Sequence, residues 1–348
     1  MKSHKIFALI ILQSLIPLFL KGADPEIKTW EVFEITLKST AQAQNPYVEF
    51  LKTGDQPFLT ATFTGTDGRS QGKIIKVPGF WDGENTWKIR FTPPIDGTWK
   101  YETVSQDRKM NRKKGSITVS GWTEEEKNIN PARRGFMVVN GSDPRKGRYF
   151  TYTDGTPVLW IADTWWDWTN SRIRFGSFKK LADTRAEQGY NIGQLFFAGN
   201  GWGRESSLLD PSFREPKLEQ IRKIEEMIRY ANSKGITVWI HAWWSRENID
   251  KSIGDENITR WWRYVVHRLH AFNVIWVLAG EYNMNNYGGF PLSFWNRVGD
   301  IIKDEDPYDR ITGAHPTPPM WSGGAEAPQW STAEAVHNQK WLDYNQSQ

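Results

Sequence analysis

The sequence contains no cysteine among its 348 residues. That absence excludes disulfide bonds, thiolate catalysis, iron–sulfur clusters, cysteine-ligated zinc and a lipid anchor on cysteine. No metal-ligand spacing of the His-Glu-x-x-His kind and no glycine-rich phosphate loop appears either. We therefore expect no metal and no cofactor. A chain of this length is expected to form about two domains.

Long apolar runs are equally scarce, and the one that occurs lies at the amino terminus. Lys2 and Lys5 precede an apolar run over residues 6–20, and small residues follow it. The run is shorter than the roughly 20 residues that span a bilayer, and it has the layout of a secretory signal peptide. We predict that residues 1–23 are this peptide and that the mature protein is soluble and secreted or periplasmic.

The sequence also lacks an excess of charge of one sign. Its formal charge is +4, but residues 1–23 hold three lysines and no acid, which leaves 41 basic against 40 acidic residues. A nearly neutral protein is not drawn to polyanions. We therefore expect neither nucleic acid nor a membrane as partner. The sequence carries no signal for an oligomeric state.

Tryptophan, in contrast, is abundant, with 20 residues. Large aromatic side chains are costly to expose, so they usually fill a core or line a groove that binds a flat ligand. A carbohydrate is the first candidate for such a ligand, which makes a polysaccharide or oligosaccharide the expected substrate or partner.

Residues 24–121 alternate short β-rich runs with turn signals. Asp-Gly pairs at 67–68, 82–83 and 96–97 separate some of these runs, and such pairs favour tight turns with a positive φ. Apolar and polar side chains alternate from Trp87 to Phe91, as in a strand with one solvated face. The region is therefore predicted to be an immunoglobulin-like β-sandwich. Its strands are predicted at residues 29–37, 58–63, 74–77, 86–91, 98–104 and 116–119.

A charged linker or lead-in is predicted for residues 122–148, and residues 149–348 follow a different pattern. Strands that are apolar on both faces alternate there with amphipathic helices, which is typical of a parallel sheet covered on both sides. Repeated strand–helix units without a phosphate loop favour an α/β fold of the (β/α)₈ or TIM-barrel type. The strands are predicted at residues 157–161, 190–197, 236–240, 273–278, 310–314 and 341–344.

The predicted barrel is incomplete. Eight strand–helix units need about 250 residues, whereas the chain from Pro157 to Gln348 accommodates about six strands. We interpret this as a barrel truncated at its carboxyl end that lacks two strands. Unusually short final connections are the alternative.

The active site of such a barrel forms where the parallel strands end. Glu281 follows the most apolar predicted strand, over 273–278. A partly desolvated carboxyl group retains its proton more readily, as a general acid must. Glycoside hydrolysis uses such an acid and a second carboxylate across the sugar. The alternative role for Glu281 is a cap of the next helix or an ion pair with an arginine.

Other polar and aromatic residues also follow predicted strands and are expected to bind substrate. Asp163 could instead hold the first loop through hydrogen bonds to the backbone, and the two histidines are interpreted as binding or structural residues rather than bases. Some of the tryptophans on predicted loops or strand ends, a set that also includes Trp168 and Trp244, are expected to stack on sugar rings and others to cover the barrel core. Trp261 and Trp262 are predicted to pack within a helix. The predicted substrate-binding residues are Asp163, Trp165, Trp166, Asn200, Trp202, His241, Trp243, Asn283, His315 and Trp321.

These segments resemble the apiosidase-like glycoside hydrolases, a TIM-barrel family often preceded by a small β-sandwich domain. The barrel resemblance rests on residues 152–166, 185–191, 273–281, 315–316 and 341–345. The amino-terminal resemblance rests on residues 30–34, 45–47, 79–83, 88–91 and 97–99. Together they cover nearly all of the chain that follows the predicted signal peptide.

The resemblance implies a retaining glycoside hydrolase. Together with the predicted signal peptide and the strand-end residues, it leads to the hypothesis of a secreted enzyme that acts on plant or algal polysaccharide. It implies an acid/base residue after the fourth strand, which falls on Glu281, where many family members carry aspartate. It also implies a glutamate nucleophile after the seventh strand, which would lie beyond Gln348. Two alternatives stay open: a non-catalytic carbohydrate-binding protein or inactive fragment, and an adhesive module that uses the sandwich alone.

Overall fold

The computed structural model describes residues 25–52, 54, 56–140, 148–197, 208–210, 212–244, 251–284, 290–318 and 331–347. The predicted signal peptide and the segment that contains Asn200, Trp202 and part of the second strand–helix connection lie outside these ranges. The helices are α1 (Pro46–Glu49), α2 (Glu124–Ile129), α3 (Phe175–Glu187), α4 (Leu218–Ser233), α5 (Asp255–Leu269), α6 (Leu292–Glu305) and α7 (Thr332–Ala335).

Seven strands near the amino terminus form one hydrogen-bonded sheet in the order β1-β7-β6-β3-β4-β5-β2. Strand β4 joins its two halves: residues 74–78 pair with β3 and residues 79–81 pair with β5. The Pro78-Gly79 pair marks this change of partner, where glycine permits close approach of Leu59. The strands are β1 (Glu26–Lys28), β2 (Phe33–Lys38), β3 (Leu59–Gly65), β4 (Ile74–Trp81), β5 (Thr86–Phe91), β6 (Gly97–Ser105) and β7 (Lys114–Ser120).

The two halves of this sheet pack against each other through aromatic side chains. Phe63 of β3 stacks on Phe91 of β5 with ring centroids 3.9 Å apart, and Trp87 and Trp99 are fully buried beside them. The predicted turns are confirmed, since all three glycines of the Asp-Gly pairs have a positive φ, and the five predicted strands from 58–63 to 116–119 match β3 to β7. The predicted 29–37 strand is corrected: residues 29–32 lie between β1 and β2, where Trp30 turns the chain with a φ of 66°. An immunoglobulin-like topology stays a prediction.

The lead-in contains a short helix and one short strand, and two more short strands follow it. Helix α2 begins with a capping box, in which Thr123 and Glu126 each accept a hydrogen bond from the other residue's backbone N–H. Strands β8 (Met137–Val139), β9 (Phe150–Tyr152) and β10 (Pro157–Val158) form an antiparallel sheet. Their apolar side chains pack with Trp239, Ile275 and Ile311 of the following sheet, and so cover the amino-terminal end of its inner face.

The carboxyl-terminal half is built on five parallel strands in the order β11-β12-β13-β14-β15. Every residue of the last four strands is buried, as expected for a sheet covered on both faces. Within the described ranges the sheet is open, with β11 and β15 at its edges. The strands are β11 (Ala162–Thr164), β12 (Ile192–Phe196), β13 (Thr237–His241), β14 (Val274–Gly280) and β15 (Thr312–His315).

The structure corrects the prediction of the first parallel strand, which begins at Ala162 rather than Pro157. The side chain of Asn191 binds the intervening segment: its Nδ2 donates to Leu159 O at 2.6 Å, and its Oδ1 accepts from Ile161 N at 3.0 Å. Residues 157–158 pair with β9 instead. Before β11, the Asn191 side chain therefore makes hydrogen bonds to Leu159 and Ile161 that backbone groups of a neighbouring strand would make in a β-ladder.

The predicted sixth strand, residues 341–344, is also wrong. Asp343 N donates to Thr312 O at 2.9 Å, but Thr312 N donates to the Asp343 side chain at 2.8 Å rather than to a backbone carbonyl. The Asp343 carboxylate thus accepts the hydrogen bond that a backbone carbonyl would accept from Thr312 N in a β-ladder. The segment lies beside β15 without joining the sheet, and Tyr344 packs over Gly313, where a Cβ would lie within 2.3 Å of its ring.

Buried ion pairs connect the amino-terminal sheet to helices α4 and α5. The carboxylate of Glu225 accepts from Arg90 at 2.5 Å and from Arg268 at 2.6 Å, and Arg268 also reaches Asp82 at 2.8 Å. The two guanidinium groups lower the pKa of Glu225 to about 2 against the opposing effect of burial. Each buried charge is therefore paired, as a low-dielectric interface requires.

Candidate active site at the strand ends

Glu281 lies directly after β14 in a left-handed backbone conformation with a φ of 50°. Val277 pairs with Gly313 and Gly280 pairs with His315, so β14 has one residue more than β15 between these pairs. Such a β-bulge redirects the following side chain and is common beside functional sites. The left-handed conformation costs a non-glycine residue roughly 1–2 kcal/mol. The fold therefore holds Glu281 in a strained position.

Trp244 binds the carboxylate of Glu281. Its indole Nε1 donates to Glu281 Oε2 at 3.1 Å, and a bridge between Trp244 and Gly280 extends the pairing of β13 with β14. The indole can lie there because residue 280 is glycine: a Cβ would be 2.1 Å from Trp244 Cε3. The close approach of ring and backbone thus sets the position of the hydrogen-bond donor.

His241 and His315 end β13 and β15 with ring centroids 5.3 Å apart. Burial and the neighbouring His315 lower the pKa of His241 well below its ordinary value, and burial lowers the pKa of His315 to about 4. His241 Nε2 lies 2.5 Å from Gln194 Nε2, and His315 Nδ1 lies 3.1 Å from Pro316 O. Both rings are therefore neutral near pH 7 and each offers one donor and one acceptor.

The half-buried indole of Trp166 covers these residues. Its ring centroid lies 5.1 Å from that of His241, 5.4 Å from that of Trp244 and 6.1 Å from that of His315. We call Trp166, His241, Trp244, Glu281 and His315 the strand-end cluster. It combines a carboxylate, two neutral imidazoles and two indoles, a set that can bind hydroxyl groups and transfer a proton.

Two residues predicted to bind substrate face away from this cluster. Trp165 packs on Gly193, where a Cβ would lie within 2.3 Å of its ring, and edge-on against Phe178 of α3. Its Nε1 donates to Asp163 Oδ2 at 3.1 Å, and Arg185 of α3 donates to the same oxygen at 2.5 Å. Asp163 and Trp165 thus connect β11 to α3 through Arg185 and Phe178.

Trp243 and Asn283, two more residues predicted to bind substrate, also lie outside this cluster. Trp243 is fully buried and packs against Phe213 with centroids 5.8 Å apart, on the outer side of the sheet. Asn283 is 3% exposed, and its Oδ1 accepts from Thr317 N at 2.8 Å. Trp243 is therefore a core residue, and Asn283 positions the chain that leaves β15.

The strand-end cluster brings together four of the predicted residues, namely Trp166, His241, Glu281 and His315. Asn200, Trp202 and Trp321 lie outside the described residues. Trp244, considered above only as a strand-end tryptophan, supplies the donor to Glu281. Gln194 was missed, although a lone amide within the apolar run 192–197 is a usable signal. Phe196 was missed as well, and its ring meets Trp244 edge-on at 5.7 Å.

The described ranges hold no group of three or more His, Asp or Glu side chains placed to bind a metal ion. None of the helices within these ranges is both long enough and apolar enough for a membrane span.

The five parallel strands with helices between them define an α/β protein that carries a carboxylate at the end of β14. The family model of the apiosidase-like catalytic domain matches residues 144–348, more than half of the chain. The chain therefore belongs to the apiosidase-like family. A second model, a domain of unknown function called DUF5060, matches residues 26–106, which include most of the amino-terminal sheet.

Solved structures similar to this chain include two proteins of Bacteroides vulgatus, of which the first shares its fold. A "putative glycoside hydrolase" from that organism aligns at 24% identity with a TM-score of 0.65, over 84% of this chain and 56% of that protein. A glycoside hydrolase family 5 protein from the same organism aligns at 20% identity with a TM-score of 0.49, over 62% of this chain and 45% of that protein. The chain thus spans about half the length of these proteins. No curated protein matches the sequence.

Proposed function

We propose that the protein is a secreted glycoside hydrolase that acts on a plant or algal polysaccharide, with Glu281 as its general acid/base. The observation that carries this proposal is the position of Glu281: a half-buried carboxylate after β14, strained in its backbone and bound by Trp244. Family membership supports the reaction class. The proposal includes a (β/α)₈ barrel to which the five parallel strands belong.

Neutral histidines suit a sugar substrate. A hydroxyl group can donate to the free nitrogen of one imidazole and accept from the other, without the desolvation cost of a buried charge. The Nδ1 atom of His241 has no hydrogen-bond partner among the described residues. Because an unpaired buried donor is costly, a substrate hydroxyl at this atom would stabilise the complex.

The nucleophile is not among the residues assigned here. Asp163, the other carboxylate considered at a strand end, is bound to Arg185 and Trp165 on the α3 side. A retaining mechanism needs a second carboxyl group about 5–5.5 Å from the acid, and an inverting one needs a larger separation.

The test compares Glu281→Gln with the wild type on a panel of pectic and algal glycans. Loss of a general acid lowers kcat by about 10²–10⁴-fold, and we expect this loss without a large change in thermal stability. Glu187→Gln, which changes an exposed carboxylate at the end of α3, is the matched control. Equal turnover by Glu281→Gln and the wild type would contradict the assignment. Glycan binding without hydrolysis by the wild type would favour a non-catalytic binding protein.

A further inference from the structure

A cavity of about 440 Å³ lies where the amino-terminal sheet, the lead-in and the parallel-strand region meet. Trp30 lines it from the turn after β1, Arg133 and Phe136 from the lead-in, and Arg229 and Phe272 from α4 and the segment before β14. We call it the junction cavity. Phe272 and Glu281 lie beyond opposite ends of β14, and that strand alone spans about 20 Å at a rise of roughly 3.3 Å per residue. The cavity is therefore separate from the strand-end cluster.

Arg229 brings an incompletely paired cation to this cavity. Its side chain is 44% exposed, and its ion pair with Glu34 is 4.0 Å long. The Glu34 carboxylate is already bound by Arg90 at 2.8 Å and by Lys88 at 2.9 Å. Among the described residues, the Arg229 guanidinium donates no hydrogen bond, so its five N–H groups remain for a ligand.

The surroundings of Arg229 favour an anion. Burial and the nearby Arg90 guanidinium lower the pKa of Arg229 from its ordinary value, so an added negative charge would stabilise its charged form. Arg133 is a second cation on the wall. The one acid on the wall, Glu31, is turned to the backbone and accepts from Lys28 N at 2.8 Å.

Trp30 adds an aromatic surface under backbone strain. It is a bulky residue with a φ of 66°, a conformation that is rare for such residues and concentrated at ligand-binding positions. It also lines a neighbouring cavity of about 390 Å³, so its ring borders open space. Trp122, the other indole on the wall, already has Lys28 and Arg133 over its ring at 4.3 and 4.2 Å. Trp30 meets Phe136 edge-on with ring centroids 5.0 Å apart, so of the two indoles it is the one whose ring is not covered by those cations.

We propose that the junction cavity binds an acidic saccharide, with Arg229 paired to its carboxylate and Trp30 stacked on its sugar ring. Guanidinium and carboxylate match in a bidentate geometry, and an indole face suits a sugar ring. The choice of a saccharide rests on the proposed function, whereas the position of the site does not. Through this site the amino-terminal sheet would help to bind the polysaccharide at a position remote from the point of cleavage.

Titration calorimetry tests this with the full chain carrying Glu281→Gln, so that the probe is not hydrolysed. The probes are tetragalacturonate, its carboxyl-reduced neutral counterpart and inorganic phosphate. We expect tetragalacturonate to bind at least ~10-fold more tightly than the other two, because a bidentate charged pair is worth more than a neutral contact. Arg229→Gln, introduced together with Glu281→Gln, should lower the affinity of the protein for tetragalacturonate at least ~10-fold. Added Arg174→Gln, which removes an exposed arginine before α3, should not change it.

Arg229→Lys covers the case in which Arg229→Gln fails to fold, because it keeps the charge beside Glu34 and loses only the bidentate geometry. It should weaken binding several-fold. The proposal would be overturned if the protein with Arg229 and either folded variant bound tetragalacturonate with equal affinity. Equal affinity of the protein with Arg229 for the acidic, neutral and phosphate probes would overturn it too. Arg229-dependent binding together with no hydrolysis by the wild type would leave this site supported and count against the proposed function alone.

Discussion

Gly280→Ala is expected to damage the site through the packing of one indole. A Cβ at residue 280 would lie 2.1, 2.4 and 2.5 Å from the Cε3, Cδ2 and Cζ3 atoms of Trp244. Non-bonded carbon atoms rest about 3.5–4.0 Å apart, so the indole must move by more than about 1 Å. Trp244 is only 6% exposed, which leaves it little room. Overpacking of this kind costs about 1–3 kcal/mol of unfolding free energy.

The same displacement breaks the hydrogen bond of Trp244 to Glu281, which measures 3.1 Å. A misplacement of about 1 Å in an active site can lower kcat about 10²-fold. Urea denaturation and kcat measurements on the same preparation check both effects. Gly176→Ala in α3 is the control, because nothing lies within 4 Å of the added Cβ; it should leave stability unchanged or raise it by up to about 1 kcal/mol.

A double variant isolates the cause. Trp244→Leu removes the ring that the new Cβ would meet, so Gly280→Ala should cost less in that background, with a coupling energy of about 0.5–3 kcal/mol. Strictly additive effects of Gly280→Ala and Trp244→Leu on the unfolding free energy would refute the argument. So would a single Gly280→Ala variant with the stability and kcat of the wild type.

Two further predictions concern buried charge. Glu225→Gln leaves Arg90 and Arg268 without their shared carboxylate and should lower the free energy of unfolding, measured by urea denaturation, by about 3–5 kcal/mol. Glu226→Gln, on the exposed face of the same helix, should lower it little. Similar losses for both variants would contradict the role of the ion-pair network. Burial lowers the pKa of His315 from 6.5 to about 4, so its contribution to stability is complete above about pH 6.5 and decreases as the pH falls toward 4, by up to about 3 kcal/mol. Unfolding measured at pH 7 and 5 should show a smaller decrease for His315→Gln than for the wild type, and an equal decrease would exclude His315 as the titrating group.

Local patterns in the sequence predicted most strands of the two large sheets. The alternation of apolar and polar side chains, together with the Asp-Gly turns, predicted β3 to β7 of the amino-terminal sheet, because hairpins depend on residues close together in the chain. Doubly apolar runs gave β12 to β15, because only a sheet covered on both faces buries them. They also placed Glu281 after β14, since a carboxylate at the end of an apolar run is visible without tertiary information.

Side-chain direction at the strand ends depends on tertiary contacts. The sequence predicts that both Trp165 and Trp166 bind substrate and does not distinguish between them. In the structure Trp165 packs against α3 and Trp166 covers the strand-end cluster. Trp243 and Trp244 divide in the same way. A shift of one residue reverses the face that a side chain takes, and the shift is set by pairing between distant segments.

The chain by itself therefore determined the kinds of element, their order and the position of Glu281, since each follows from the periodicity of neighbouring residues. Only the tertiary structure decided which indole contacts that carboxylate, that Asp163 binds Arg185, and that Asp343 interrupts a sixth strand. Those outcomes depend on a bulge between β14 and β15 and on side chains that replace backbone hydrogen bonds across the sheet. Such contacts join residues far apart in the chain, and no local pattern encodes their register.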